Sequence, residues 1–327
     1  MFEHVVGTIL SKFLGDYVEG LEGRNLEVNI LSGHVVLENL QLKKEALSRY
    51  QLPVTIQDGF LGKLILEIPW KSLGKKPVQV KLQNIFLIAA PTLPSDFDPQ
   101  QAEKNVLANK KRKLEISEAI KEELAAQEKE KDPKQNIEKK SYTQKLIDSA
   151  TSLFNVEVSD IHFRYEDSLS NKDSSFALGV TLENFTATTV DSVSEMLQQF
   201  TAKMQNLAVY WNHNEEFLKY KNAKEMETLL RRLIYRTQSS ETLPHKYIVH
   251  PVCGSMELQL NKSNKPDLNI PKLLVSSVLQ QINISLRETQ WKQILYFSDY
   301  FTLYSRGLRV SSQVLAFTVI LNISLVP

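Results

Sequence analysis

Apolar residues follow two different periods along this chain. At the start the steps are three and one. Phe2, Val5, Val6, Ile9, Leu10, Phe13, Leu14, Tyr17 and Val18 make one stripe of an α-helix, with Glu3, His4, Lys12, Asp16 and Glu19 on the other side. Gly20 and Gly23 fit the helix end and the turn after it. From Leu26 the step becomes two. Leu26, Val28 and Ile30 alternate with polar residues, Ser32-Gly33-His34 supplies a turn, and Val35 and Leu37 resume the alternation.

The alternation then breaks in a repeated way. Leu37, Leu40 and Leu42 are spaced three, then two, and Leu82, Ile85 and Leu87 repeat this. So do Val158, Ile161 and Phe163; Leu182, Phe185 and Ala187; Met204, Leu207 and Val209; and Leu279, Ile282 and Ile284. In a flat strand a step of three moves later apolar residues to the opposite face. One extra residue in a bulge keeps them on the same face and bends the strand. Many such strands predict a strongly curved sheet with one continuous apolar side. Leu64, Leu66 and Ile68, and Met256, Leu258 and Leu260, read as strands without the break.

Helices are expected between the strands. Residues 101–131 form a highly charged run that reads as a solvated helix ending near Asp132-Pro133, with a linker to about Lys140. Short amphipathic helices are predicted over 142–154, 217–234 and 291–304. About ten one-sided strands then face few covering helices. Either helices 217–234 and 291–304 fold over the apolar face, or the face stays open and takes up something apolar. An open face suits hydrocarbon chains, because each buried methylene is worth about 0.8 kcal/mol. About ten strands at ~4.8 Å spacing would make a surface of roughly 50 Å.

Composition narrows the classes. The 327 residues are 42% hydrophobic and 24% charged, with net charge +1. A basic nucleic-acid face is not indicated, and no nucleic-acid partner is expected. The single Cys253 rules out a disulfide within the chain and suits a reducing, cytoplasmic setting. The six histidines make no i, i+4 metal pair, and Gly74-Lys75-Lys76 lacks the earlier glycine of a phosphate-binding loop. Asp160 and His162 are read as surface polar residues, since no nucleophile accompanies them. No catalytic residue, metal site or cofactor is expected.

Several motifs carry a resemblance. Phe13-Leu14-Gly15-Asp16-Tyr17-Val18 is one, and Gly33-x-Val35-x-Leu37-x-Asn39-Leu40-x-Leu42-Lys43 is another. Ile68-Pro69-Trp70-Lys71-x-Leu73, Val158-x-Asp160-Ile161-His162-x-x-Tyr165-Glu166-Asp167 and Ala208-Val209-Tyr210-Trp211-Asn212 follow in order. Over residues 1–309 the chain resembles the amino-terminal chorein region of the vacuolar protein sorting-associated, bridge-like lipid transfer family, and is most similar to its A and C type paralogues. The tail from Ser311 to Pro327 lies outside the resemblance and reads as the divergent end of a short product.

The resemblance implies an α+β fold: a strongly curved, mostly antiparallel sheet forming an open hydrophobic trough, capped by the N-terminal amphipathic helix, with helices outside. It divides the chain into a chorein domain over 1–95, a charged linker over 96–140, a continuation of the trough over 141–309 and an apolar tail over 310–327. It implies non-enzymatic lipid transfer at membrane contact sites. The expected partners are glycerophospholipids, the membranes of the endoplasmic reticulum and an apposed organelle, and protein adaptors. The expected location is cytoplasmic and peripheral on membranes. The groove lining is expected from Val35, Leu37, Leu40, Leu64, Leu66, Val80, Leu82, Ile85, Val158, Ile161, Phe163, Val180, Leu182, Phe185, Val209, Leu258, Ile282 and Ile284. The cap is expected from Phe2, Val6, Ile9, Leu10, Phe13, Leu14 and Tyr17. The other reading is a membrane-docking scaffold or interaction fragment that moves no lipid, with its helices folded over the sheet.

Overall fold

The structure is a computed structural model. It describes residues 32–44, 54–72, 76–92, 154–171, 174–194, 197–236, 243–261 and 271–304, with isolated positions that include Gly15, residues 17–19 and Ala46. The cap positions Phe2, Val6, Ile9, Leu10, Phe13 and Leu14, the strand expected at 26–30 and the 310–327 tail lie outside the described residues. So do nearly all of 96–140 and the helix expected over 142–154, except that Phe154 opens a strand.

Among the described residues, eight strands form one sheet in chain order. They are β1 (His34–Gln41), β2 (Val54–Glu67), β3 (Val78–Pro91), β4 (Phe154–Asp167), β5 (Phe176–Ser194), β6 (Leu197–His213), β7 (Tyr247–Asn261) and β8 (Leu273–Leu279). Among the described strands β1 and β8 are the two edges, and they do not pair with each other. Neighbours run antiparallel except β3 and β4, which are parallel, with Leu82 beside Val158 and Ile85 beside Ile161. At ~4.8 Å per step, the eight described strands span roughly 34 Å.

Four of the six breaks in alternation share a backbone cause. Asn39, Asn84, Asp160 and Asn206 have positive φ, at 54°, 60°, 56° and 52°. Asn and Asp tolerate this left-handed conformation better than other side-chain-bearing residues. One such residue rotates the strand, so a step of three returns to the same face. In β1, Val35, Leu37 and Leu40 are all buried, and Val36, Glu38, Asn39 and Gln41 are exposed.

Asn39, Asn84 and Asp160 are not unmatched bulges, as the pattern suggested, whereas register with β7 does shift across Asn206. Pairing jumps from Glu38↔Lys63 to Leu40↔Leu61, so Asn39 is skipped together with Gly62. It jumps likewise past Gly62 with Asn84, Asn84 with Asp160, and Asp160 with Glu183. The kinks line up from β1 to β5, and the register passes through them without a shift. Register shifts occur at Ile56/Asp58 in β2, at Val190/Ser194 between β5 and β6, and along β6–β7, where one of them spans Asn206.

Helix α1 (Ala223–Arg232) is shorter than the predicted 217–234 because Asn222 caps it. The Asn222 side chain accepts from Glu225 N at 2.9 Å, and Glu225 Oε2 accepts from Lys221 N at 2.8 Å, a reciprocal cap that fixes the start. Met226, Leu230 and Ile234 pack on Phe60, Phe86 and Ile88 of the sheet. Helix α2, residues 288–304, begins three residues before the predicted 291. It starts where Gln290 Oε1 accepts from Arg287 N at 2.9 Å.

The two helices do not share a face. Register places Phe60 opposite Phe86, and Phe86 beside His162, on the side away from Leu64, Leu82 and Val158. α1 therefore lies outside, as expected. α2 does not: Ile294 and Phe297 pack on Ala89, Tyr165, Phe176 and Trp211, at the strand ends of the opposite face.

Candidate functional site

Registers join the apolar side chains of one face into rows that run across the strands. One row reads Leu37–Leu64–Leu82–Val158–Phe185–Met204–Gly254–Leu279, with every step a register partnership from β1 to β8. A second begins Leu40–Leu61–Ile85–Ile161–Leu182. A third reads Val35–Leu66–Val80–Val156–Ala187–Ala202–Met256–Ser277. A fourth reads Leu87–Phe163–Val180–Val209–Val249 and reaches Ile284 through an isolated bridge. No charged residue interrupts any of them.

The opposite face is chemically different. Beside the first row, Glu38 pairs with Lys63 at 2.8 Å and Lys81 with Glu157 at 3.2 Å, all four partly or fully exposed. Further along, α1 together with Tyr235, Arg236, His245 and Tyr247 covers a polar interior. His162 is fully buried; its Nδ1 donates to Leu230 O at 2.9 Å, and its Nε2 accepts from the Tyr210 hydroxyl at 2.8 Å. Tyr210 stacks on His245 with 3.7 Å between centroids. Burial holds the His162 imidazole down to about 4 and the His245 imidazole to about 3, so both are neutral. Asp160 is also buried and pairs with Arg231 at 3.3 Å and with Arg236. The surface role read for Asp160 and His162 is thus overturned, because α1 covers them.

Exposure of the apolar face rises along the sheet. Val35, Leu37, Leu40, Leu64 and Leu66 are buried in a cluster with Val18, and Tyr17 packs against it. The backbone ties this end down: Lys43 N donates to Tyr17 O at 2.8 Å, and Val18 bridges to Leu42. By β4, Phe163 is 41% exposed, and at the far edge Val275 is 51% and Ile284 70% exposed. Among the described residues, the face is covered at its β1 end and open towards β8.

α2 covers one margin of the open part. Trp211 Nε1 donates to Gln293 Oε1 at 2.8 Å, Gln293 Nε2 donates to Ser174 Oγ at 2.7 Å, and Gln290 Nε2 donates to Trp211 O at 2.9 Å. Tyr300 hydroxyl reaches Thr92 O, beyond β3, at 2.7 Å. The helix therefore crosses the strand ends from β6 to β3. Phe176 and Trp211 stack beneath it at 4.5 Å.

Of the residues expected to line a groove, seventeen share this one face by register or by strand alternation; Leu258 joins through its pairing with Phe200 and Val275. Ile282 is exposed and lies outside the paired strand. The expected strand over 279–286 is only partly present: β8 ends at Leu279, and Ile284 makes a single bridge to Val249. Val156, Leu87 and Met204 occupy the same rows and Val275 the same face; Leu87 and Met204 belong to the repeated unit of the sequence. No helix of the described residues is long and apolar enough to cross a membrane.

Comparison with known proteins agrees with this arrangement. Residues 1–312 match the model of the VPS13-like family N-terminal region. The chain is 32% identical over 305 residues to the mouse intermembrane lipid transfer protein VPS13A, covering 90% of this chain and 9% of that protein. It is 32% identical over 321 residues to the Dictyostelium discoideum intermembrane lipid transfer protein vps13A, covering 94% of this chain and 10% of the other. The corresponding figures for the Chaetomium thermophilum intermembrane lipid transfer protein VPS13 are 28% over 323 residues, 94% and 10%. The chain spans about a tenth of the length of these relatives. It belongs to the VPS13-like family, whose N-terminal region it carries.

Proposed function

We propose that this region binds glycerophospholipids by laying their acyl chains along the apolar face, as one part of a path by which lipid passes between membranes. The headgroups face water at the open margin. The sheet curves into a trough, and the N-terminal helix closes its β1 end. Chains slide along rows of Leu, Val, Ile and Phe, and no bond is made or broken, so the activity is transfer rather than catalysis. The setting is cytoplasmic, peripheral on the endoplasmic reticulum and an apposed organelle, with protein adaptors selecting the latter.

The observation that carries this reading is the unbroken row from Leu37 to Leu279, polar on its reverse side and progressively exposed on its own. A diacyl lipid buries roughly 30 methylenes at about 0.8 kcal/mol each, so movement through water requires a lining without polar gaps. The names of the relatives point the same way. The scaffold reading needs both helices over the apolar face. α1 lies on the other side, and α2 covers only the strand ends.

The test is native mass spectrometry with lipid extraction on chain purified without detergent. One or more glycerophospholipids per chain is expected. A lipid-free monomer overturns the proposal. The combined Phe163→Asp, Val180→Asp and Leu182→Asp variant is expected to remain soluble and to lose bound lipid; retained lipid sinks these residues as lining.

A further inference from the structure

The face of the sheet opposite the apolar rows carries a cleft beside α1. Its volume is about 690 Å³, the size of a small-molecule site. Lys224, Arg231 and Arg232 of α1 and Arg236 beyond it bring four positive charges to the wall. Among the described residues, Glu227 is the one carboxylate that lines it.

The aligned kink explains why two of the arginines are fixed there. β1, β3 and β6 pass the kink with Asn39, Asn84 and Asn206, whereas β4 uses Asp160. Its buried carboxylate accepts from Arg236 and lies 3.3 Å from Arg231 Nε. Glu183 lies 3.7 Å from Arg236 Nη1 and accepts from Asn206 Nδ2 at 2.6 Å. Glu227 Oε1 accepts from Asn84 Nδ2 at 3.0 Å, which draws its carboxylate towards the sheet. The acids of this region are therefore engaged with the kink residues or with the arginines that the kink holds.

Lys224 and Arg232 are placed differently. Both are exposed, and neither pairs with a carboxylate among the described residues. They share one face of α1 with Thr228 and Arg231, and the Asn222 cap fixes that face by fixing where the helix starts. Eight residues of helix separate their backbones by about 12 Å. Two cations so spaced are matched better by two anionic groups than by one.

We infer that this cleft binds an organic di- or polyphosphate. Lys224 and Arg232 take its separated phosphates, and Arg231 and Arg236, held by Asp160, form the wall between the ligand and the sheet. A soluble compound and a lipid headgroup both present such groups. The cleft faces away from the acyl rows, so its occupancy does not depend on bound lipid.

Isothermal titration calorimetry of the full chain with inorganic tripolyphosphate tests this. Saturable binding is expected, weakening as salt rises from ~50 to ~300 mM. Orthophosphate is expected to bind about tenfold more weakly or worse. Lys224→Gln with Arg232→Gln is expected to weaken tripolyphosphate binding by about tenfold, with the urea midpoint unchanged. Lys63→Gln with Lys81→Gln removes the same charge elsewhere on this face and is expected to leave binding intact. Absence of saturable binding overturns the proposal. So does equal affinity for orthophosphate, or equal weakening in the two double variants, which marks general attraction to charge. Cosedimentation with phosphatidylcholine vesicles, with and without phosphatidylinositol 4-phosphate, identifies the carrier. Capture by the phosphorylated vesicles that is lost in Lys224→Gln with Arg232→Gln supports the cleft with a headgroup in it. Tripolyphosphate binding without such capture supports it with a soluble ligand. Bound lipid per chain is expected to be the same in that variant, so this inference and the transfer reading fail separately.

Discussion

Gly62 lies directly against Asn84, so closely that a Cβ on Gly62 would sit 2.8 Å from the Asn84 Cβ and 3.2 Å from the Gln83 carbonyl oxygen. The contact marks the aligned kink, at which each strand from β1 to β4 passes either a left-handed residue or Gly62. Gly62→Ala forces backbone apart at that point and is expected to destabilise the chain by about 1–3 kcal/mol. Urea unfolding followed by circular dichroism measures it; an unchanged midpoint would show that the kink tolerates separation.

The left-handed residues give a second, separable prediction. Asn39 is exposed and has φ 54°, so its side chain packs little and its backbone preference dominates. Asn39→Gly is expected to be nearly neutral, and Asn39→Val to cost about 1–2 kcal/mol. Equal effects of the two substitutions would mean that side-chain contacts, not φ, govern this position.

The two faces respond oppositely to charge. Phe86 is 0% exposed beneath α1, whereas Phe163, beside Leu87 on the other face, is 41% exposed. Phe86→Asp buries an unpaired carboxylate and is expected to prevent folding. Phe163→Asp leaves its carboxylate in contact with water, so thermal stability is expected to fall little. Fluorescent-lipid loading, however, is expected to drop several-fold. A chain that loads lipid normally with Asp at 163 would place the acyl chains elsewhere.

Much of this arrangement was legible because the three-residue steps encode a backbone event. Asn39, Asn84 and Asn206 each sit just before the apolar residue that resumes the alternation, and asparagine is the residue suited to positive φ. What the pattern lacked was alignment. A kink matched in the neighbouring strand leaves the same spacing as a lone bulge, so only pairing distinguishes them. The parallel step between β3 and β4 was hidden for a similar reason, since alternation has no direction. The burial of His162 depends on Leu230 and Tyr210, residues 68 and 48 positions away. The placement of α2 on the apolar face depends on long-range packing by Ile294 and Phe297 beside an outer helical surface that includes the exposed Trp291 and Leu295. Apolar residues on both sides of a helix do not say which side meets the sheet.

The attachment of α2 can be loosened without disturbing the sheet. Gln293 accepts from Trp211 Nε1 and donates to Ser174. Gln293→Leu leaves the buried indole N–H without its acceptor, at a cost of about 1–3 kcal/mol. Amides of residues 291–304 are expected to exchange faster, with those of β4 and β5 unchanged. Uniform loss of protection would mean that α2 and the sheet unfold as one unit.

The buried histidines make stability depend on pH in a defined direction. His162 has a folded value of about 4 against 6.5 when exposed, with burial the largest cause and Arg164 adding repulsion. His245 is lowered to about 3, again chiefly by burial, then by His162 and Arg164. Between the folded and unfolded values the unfolded chain binds more protons, so stability rises with pH there and is flat above about 7. The contribution is present above 6.5 and is lost as pH falls towards 4. For His162 alone the difference corresponds to about 3 kcal/mol by pH 4. Urea midpoints are therefore expected to fall steadily from pH 7 to pH 4.5. His162→Gln, which keeps a side chain able to bond Leu230 and Tyr210, is expected to flatten that slope while lowering stability at pH 7. An equally steep profile in the variant would assign the acid sensitivity to groups other than His162, with His245 the next to replace.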